Sequence, residues 1–323
     1  MASIHKSKPE RKAKSKTVSA PAKETFSLVS NEKLLAIYAA MVKCRMVQQR
    51  AATLFQQGKL ASDLHASSGR EAASAAIAID LQPGDAISLS AGDWLPAFVK
   101  GMSLESLFRA LAPASAQMSG VASAAATAME QNNILAAGDK AERPASIRER
   151  AEAAQAAKQG AVVSAILPSS ELSLKPWHEI LADAASQRLP ILFVHYADVA
   201  EQGGTEKPIR KNKAPDAFFH GVAAITVDAL DAVAVYRVAY EAIVRARQGR
   251  GATLLECATH VGVPVAGSAK DSAPSSDPHS LSDPVAIMET YLKSKGIEPA
   301  QHNQQIVASF PVELDLVTRF LGP

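Results

Sequence analysis

The sequence predicts an α/β protein: a mainly parallel sheet with helices on both faces. Three observations carry that prediction. The first is a crossover unit. Residues 160–167, opening on Gly160, form a short apolar run bounded by a polar stretch, and residues 191–194 form a second. Between them Trp177, Ile180, Leu181 and Ala184 recur at helical spacing, one face of a helix over 176–188. Two buried strands joined through one helix make a right-handed parallel crossover. The second observation is that further strand-like runs (86–90, 223–228, 252–257) alternate with helical periodicities (147–158, 230–248). The third is that no internal repeat interrupts this alternation. In such sheets ligands bind beyond the carboxyl ends of the strands. The segments to search are therefore 167–170 and 195–198.

The elements follow in order. Ser30 or Asn31 caps a long helix running to Gly58, with Leu34, Tyr38, Met41, Val42 and Arg45 on one face and Leu54 and Phe55 closing it. Residues 60–68 read as a loop holding His65, and 69–81 as a small-residue helix. Gln82-Pro83-Gly84-Asp85 is a turn leading into the strand 86–90. Two short helices, 94–100 and 103–111, are split at Gly101. Residues 112–146 are rich in Ala, Ser and Met with weak periodicity, and no element is assigned there. After the helix 147–158 and the crossover unit, 168–173 reads as a polar loop and 201–216 as a surface loop. Proline near the start of the crossover helix fits, because its missing N–H has no partner in a first turn anyway. The strand 223–228, the helix 230–248 and the strand 252–257 follow. The Gly/Ser/Pro/Asp-rich stretch 261–282 reads as a mobile loop, and Asp283-Pro284 opens the last helical region.

Composition bounds the function. With 47% hydrophobic and 20% charged residues over 323 positions, the chain is globular and long enough for one large core. No apolar run approaches the ~20 residues that span a bilayer, and the basic N-terminus lacks the apolar segment of a secretory signal. Cys44 and Cys257 fall in a predicted helix and a predicted strand, so they read as buried thiols in a reducing compartment, and the expected location is cytoplasmic. The net charge of +2 conceals an asymmetry. Residues 1–24 hold seven Lys or Arg against two Glu, a surplus of five, which leaves the remainder at −3. The domain organisation is therefore a basic tail, 1–26, expected to be disordered for want of large apolar residues, and one domain, 27–323. The tail reads as a solvated arm. Neither a membrane nor a nucleic-acid partner is expected.

Four stretches carry a family resemblance. They are Leu34-Leu35-Ala36-Ile37-Tyr38 through Phe55-Gln56-Gln57-Gly58; Leu64-His65-Ala66-Ser67-Ser68-Gly69-Arg70-Glu71-Ala72 with Leu81-Gln82-Pro83-Gly84-Asp85; Trp177-His178-Glu179 through Arg188-Leu189-Pro190-Ile191-Leu192-Phe193-Val194; and Ile225-Thr226-Val227-Asp228 through Thr253-Leu254-Leu255-Glu256. Their series resembles the alpha subunit of the thiamine-diphosphate-dependent 2-oxo acid dehydrogenases, the pyruvate dehydrogenase family. The resemblance implies a thiamine-diphosphate-binding fold, thiamine diphosphate and magnesium as cofactors, and a beta-type dehydrogenase subunit as partner in a hetero-tetramer. Self-association is the other assembly considered. The implied reaction is oxidative decarboxylation of a 2-oxo acid with acyl transfer to lipoamide, in which the cofactor carries the carbon chemistry.

The family's cofactor positions map onto this chain with departures. Its Gly-Asp-Gly falls on Pro168-Ser169-Ser170, so Ser169 stands at the magnesium aspartate. Its Asn-Asn falls on Ala197-Asp198, and its Tyr-Arg-x-His on Ala91-Gly92-Asp93-Trp94, where Gly92 replaces the phosphate arginine. Magnesium and diphosphate call for hard oxygen ligands and for cationic or N–H donors. The candidate cofactor-binding residues are thus His65, Gly92, Trp94, Ser169, Ser170 and Asp198, with Ser169 and Asp198 at the metal positions and no catalytic residue assigned. The departures predict weakened cofactor binding. Three readings stand: a divergent alpha subunit with degraded cofactor motifs, a non-catalytic homologue with a structural or regulatory role, and an unrelated doubly wound α/β protein binding another small ligand.

Overall fold

The protein is described by a computed structural model covering residues 29–61, 64, 69–90, 92–113, 121–135, 142–200, 218–261 and 283–321. The basic tail, His65, the loop 201–216 and most of 261–282 lie outside the described residues. Chain order is α1 (Asn31–Gln56), α2 (Glu71–Ala78), β1 (Ala86–Ser88), α3 (Leu95–Lys100), α4 (Leu104–Leu111), α5 (Val121–Gln131), β2 (Ile134–Leu135), α6 (Arg143–Ala157) and β3 (Val163–Pro168). It continues with α7 (Ser169–Leu172), α8 (Lys175–Gln187), β4 (Ile191–Ala200), β5 (Phe218–Phe219), β6 (Val222–Asp228), α9 (Ala232–Arg247), β7 (Thr253–Val261), α10 (Pro284–Ser294) and α11 (Pro299–Thr318).

The seven strands form one sheet in the order β2-β1-β3-β4-β7-β6-β5. Every pairing is parallel except the edge hairpin of β5 with β6, so the predicted α/β architecture is the one observed. Strand alternation divides the core in two. Ile166, Leu192, Val194, Tyr196, Leu255 and Cys257 face one layer, with α1, α2, α3, α4, α9, α10 and α11. Val163, Ala165, Leu167, Ile191, Phe193, Ala224 and Leu254 face the other, with Ile147 and Ala151 of α6 and Trp177, Ile180, Leu181 and Ala184 of α8. The helical face predicted for α8 is the buried one, and its Trp177 is fully enclosed.

Local chemistry sets the boundaries. Ser30 accepts a hydrogen bond from Lys33 N at 3.2 Å and caps α1. Asp231 and Asp283 do the same for α9 and α10. Helices α6 and α8 end on Lys158 and Arg188 in the left-handed region, φ 53 and 54. Asp85 fixes the entry to β1: fully buried, it accepts from Gln82 N (2.6 Å), Val162 N (2.9 Å) and the Arg247 guanidinium (2.5 and 2.9 Å). Both cysteines are free and buried, as expected. Among the described residues no helix is long and apolar enough to cross a membrane.

Three segments differ from the sequence reading. The stretch 112–146 contributes α5 and the short edge strand β2, which lengthen the sheet beside β1. The strand 191–194 runs on to Ala200, because β7 pairs with it as far as Val261. The polar loop expected at 168–173 is a helical turn, α7, that begins directly where β3 stops. Glu171 holds that turn down. Its carboxylate accepts from Arg143 Nη1, both side chains are buried, and Arg143 Nη2 also donates to Ile166 O at 2.8 Å.

Candidate functional site at the carboxyl ends of the strands

The predicted rim is built from the ends of β1, β3, β4 and β7. Ser169 is the first residue past β3 and half-buried, and Ser170 beside it is exposed. The Ser169 hydroxyl lies 3.2 Å from His195 Nε2 and 3.1 Å from the carbonyl oxygen of Tyr196. On the far side of the imidazole, His195 Nδ1 lies 3.8 Å from Glu256 Oε1, beyond hydrogen-bond range. Glu256 Oε2 in turn accepts from Thr226 Oγ1 at 2.6 Å. His195 is 4% exposed and Glu256 2%.

The sheet explains why these groups meet. Leu167 is opposite His195, His195 opposite Glu256, and Glu256 opposite Thr226, a straight row across four strands. Side chains alternate along a strand, so His195 shares a face with Ile191 and Phe193, and Glu256 with Leu254. A polar row therefore continues the second apolar layer at its carboxyl-end rim.

The other face carries a different group. Tyr196 is 1% exposed, and the Arg70 guanidinium lies 4.2 Å from the centre of its ring. Burial, and then the charge of Asp93, pushes the Tyr196 phenol well above its ordinary range. Asp93 is fully buried in the turn after β1. Burial likewise pushes the Cys257 thiol up to about 12.

The sequence-predicted residues take distinct places. Ser169 and the backbone of 196 are brought together. Gly92 sits in the turn after β1 at φ 82, a left-handed conformation that an arginine occupies only with strain. Trp94 is half-buried, precedes α3 and lies against the first core layer. Asp198 is within β4 opposite Thr259 rather than in a loop, and its side chain lies outside the described part. Ser170 offers its carbonyl to Ser173 Oγ at 3.4 Å. His195 opens one of the two segments marked for search but was not itself a candidate, and Glu256 and Thr226 were in neither group. The available signal was a histidine and a glutamate at strand positions whose alternation calls for apolar side chains.

Residues 38–310 match the family of the dehydrogenase E1 component. The chain belongs to that family. It is similar to the chloroplastic pyruvate dehydrogenase E1 component subunit alpha-3 of Oryza sativa subsp. japonica, 30% identical over 259 residues, which are 75% of this chain and 60% of the relative. It is also similar to the alpha subunit of the acetoin:2,6-dichlorophenolindophenol oxidoreductase of Bacillus subtilis (strain 168), 29% identical over 247 residues, 74% of this chain and 72% of that one. A third relative, the pyruvate dehydrogenase E1 component subunit alpha of Porphyra purpurea, is 26% identical over 246 residues, 72% of this chain and 71% of its own. The chain thus spans three fifths of the rice relative and nearly three quarters of the bacterial one. E1-family membership matches the resemblance drawn from the four stretches and sets aside an unrelated doubly wound protein.

Proposed function

We propose that this E1-family chain is a divergent alpha-type subunit of a 2-oxo acid dehydrogenase. It pairs with a beta-type subunit, as a hetero-tetramer, and contributes the fold and assembly surface without the family's usual grip on magnesium and thiamine diphosphate. One observation carries the second half of this reading. The hydroxyl at the magnesium-aspartate position, Ser169 Oγ, is engaged by His195 Nε2 and the Tyr196 carbonyl. A neutral hydroxyl also brings no charge to a cation that favours carboxylate. A further feature agrees. Asp93, next to the position of the family's phosphate arginine, is a buried carboxylate and supplies no cation for a diphosphate. These residues do not fit the cofactor. Where the pairing forms, decarboxylation and acyl transfer to lipoamide are properties of the assembly. A cytoplasmic location belongs to the same proposal.

Two measurements test it. In titration calorimetry with thiamine diphosphate and magnesium chloride, the chain is expected to show no saturable uptake at micromolar concentration. On co-expression with a beta-type dehydrogenase subunit, native mass spectrometry is expected to record a stable complex. Micromolar uptake of the cofactor overturns the degraded-site reading, and failure to associate overturns the subunit reading.

A further inference from the structure

The row Ser169–His195–Glu256–Thr226 does something the subunit reading leaves unused. A histidine and a carboxylate buried in an apolar layer cost several kcal/mol unless they are well paired. Here the imidazole is only partly paired: Nδ1 makes no hydrogen bond and looks toward Glu256 Oε1 at 3.8 Å. Its other nitrogen meets a hydroxyl that is half-buried at the rim. The two tautomers are not equivalent. With the proton on Nε2, a bare nitrogen lone pair faces a carboxylate. With the proton on Nδ1, the N–H points at Glu256, and Nε2 is left as an acceptor toward the Ser169 hydroxyl, whose proton the Tyr196 carbonyl also accepts at 3.1 Å. The carboxylate thus selects the tautomer in which His195 is a base toward Ser169. Nucleophile, base and orienting group lie in the order that activates a serine; the first contact is at hydrogen-bond distance, and the second, at 3.8 Å, has to tighten when substrate is bound.

We propose that Ser169 is a nucleophile activated by His195, with Glu256 as positioning residue, and that the chain accepts an acyl group from a small activated carboxylic ester. Ser169 Oγ forms a bond to the carbonyl carbon while its proton passes to His195 Nε2, and the carbonyl electron pair moves onto oxygen. When that pair returns, the bond to the alcohol oxygen breaks, and the departing alkoxide takes the proton from Nε2. Water then attacks the acyl-serine by the same route, releasing the carboxylic acid and the free hydroxyl. Glu256 stabilises the transient imidazolium, and Thr226 holds Glu256 in place. The inference does not depend on cofactor loss or on a beta-type partner.

The test uses the full chain with a fluorophosphonate probe and with p-nitrophenyl acetate. Attack on the probe forms a serine O–P bond, expels fluoride and leaves a mass tag that peptide mapping locates. One tag per chain at Ser169 is expected. Ser186→Ala, at an exposed serine of α8, keeps it. Ser169→Ala loses it, and mapping on the unaltered chain decides the matter if that variant fails to fold. His195→Asn slows tagging about 100-fold, the scale of a lost general base. With p-nitrophenyl acetate, Glu256→Gln lowers the acylation rate at saturating ester about tenfold and leaves the half-saturating concentration unchanged, and Glu256→Asp restores part of the rate. A folded chain whose Ser169 carries no tag overturns the proposal. So does equal tagging in concentrated urea, or a His195→Asn variant that tags at the unaltered rate.

Discussion

Ser169 and Gly92, which the family resemblance sets at the magnesium aspartate and the phosphate arginine, differ in the backbone they occupy. Ser169 has an extended residue before it and begins a helical turn, a backbone that aspartate accepts readily. Gly92 has φ 82, where any side chain is strained by roughly 1–2 kcal/mol. Restoring the carboxylate is therefore predicted to tighten magnesium-dependent binding of thiamine diphosphate at least tenfold in Ser169→Asp. Gly92→Arg alone is predicted to bring no gain and a lower Tm; calorimetric titration and thermal melts of the two variants check both. Behind the same turn, burial presses the Arg143 guanidinium toward its neutral form and Glu171 opposes that. Removing one member of a buried pair leaves the other charge uncompensated, at about 3–5 kcal/mol. Arg143→Met is predicted to lose stability on that scale in urea unfolding. The double variant Arg143→Met with Glu171→Leu is predicted to lose less, because no charge is then stranded.

At the scale of elements, helix α8 meets the β5–β6 hairpin through two stacked imidazoles, His178 and His220, with ring centres 4.3 Å apart. His220 occupies the turn at φ 48. Burial, and then the charge of His178, lowers its pKa below 6.5. The unfolded chain therefore binds this proton more readily, and stability rises with pH through the interval below 6.5 and falls as the solution is acidified through it. His220 is exposed, so the effect is small. Chemical unfolding at pH 7.5 and 5.5 is predicted to show the loss, and His178→Phe, which keeps a ring in the stack without a charge, is predicted to reduce it. Elements of this kind were legible to different degrees. The strands β3, β6 and β7 and the helices α8 and α9 stood out because buried apolar runs and helical faces leave a clear period, and Asp85 announced its turn through Pro83-Gly84. Strand β2 was not legible: two residues that earn their place only by pairing with Ile87 and Ser88 leave no local pattern. The turn α7 was missed because Ser169-Ser170-Glu171 is polar, and the distant Arg143 that pairs with the buried Glu171 leaves no local signal. The site was half legible for the same reason. Residues past the strand ends mark the rim, but the register that sets His195 against Glu256 exists only once β4 and β7 pair.

At the scale of the molecule, the two helical layers are closed in different ways. The layer of α6 and α8 is sealed mainly by apolar contact with the sheet, while the other is tied across the chain by charge. Arg45 on α1 is the centre of that tie. It donates to Glu71 at the start of α2 at 3.1 Å and to Asp283, the cap of α10, at 2.6 and 3.0 Å. Tyr38 before it and Arg50 after it on the same helix reach Glu289 at 2.6 Å and Asp315 at 3.0 Å. One helix near the beginning of the described chain thus holds both helices at its end, and it bears on α2, whose leading residue Arg70 covers Tyr196 at the rim. For Asp283, burial alone raises the carboxyl, but the Arg45 hydrogen bonds and charge, with the N–H groups of Val285 and Ala286, bring it below its ordinary 3.8. A carboxyl lowered on folding stabilises above its unfolded pKa, and that contribution disappears as pH falls through the lower folded value. The tie is therefore intact at neutral pH and lost below about pH 4. Arg45→Met removes it at every pH and also leaves the buried Glu71 without this cation. Asp283 is half-exposed, so solvent screens part of this tie, and with the Glu71 contact it contributes about 1–2 kcal/mol. For a chain of this size the variant is predicted to melt about 2–4 °C lower at pH 7. Its melting temperature is predicted to fall less than that of the unaltered chain between pH 5 and pH 3, since the acid-sensitive part has already gone. Parallel melting curves with the same acid dependence in both proteins would show that the termini are held together by apolar packing alone.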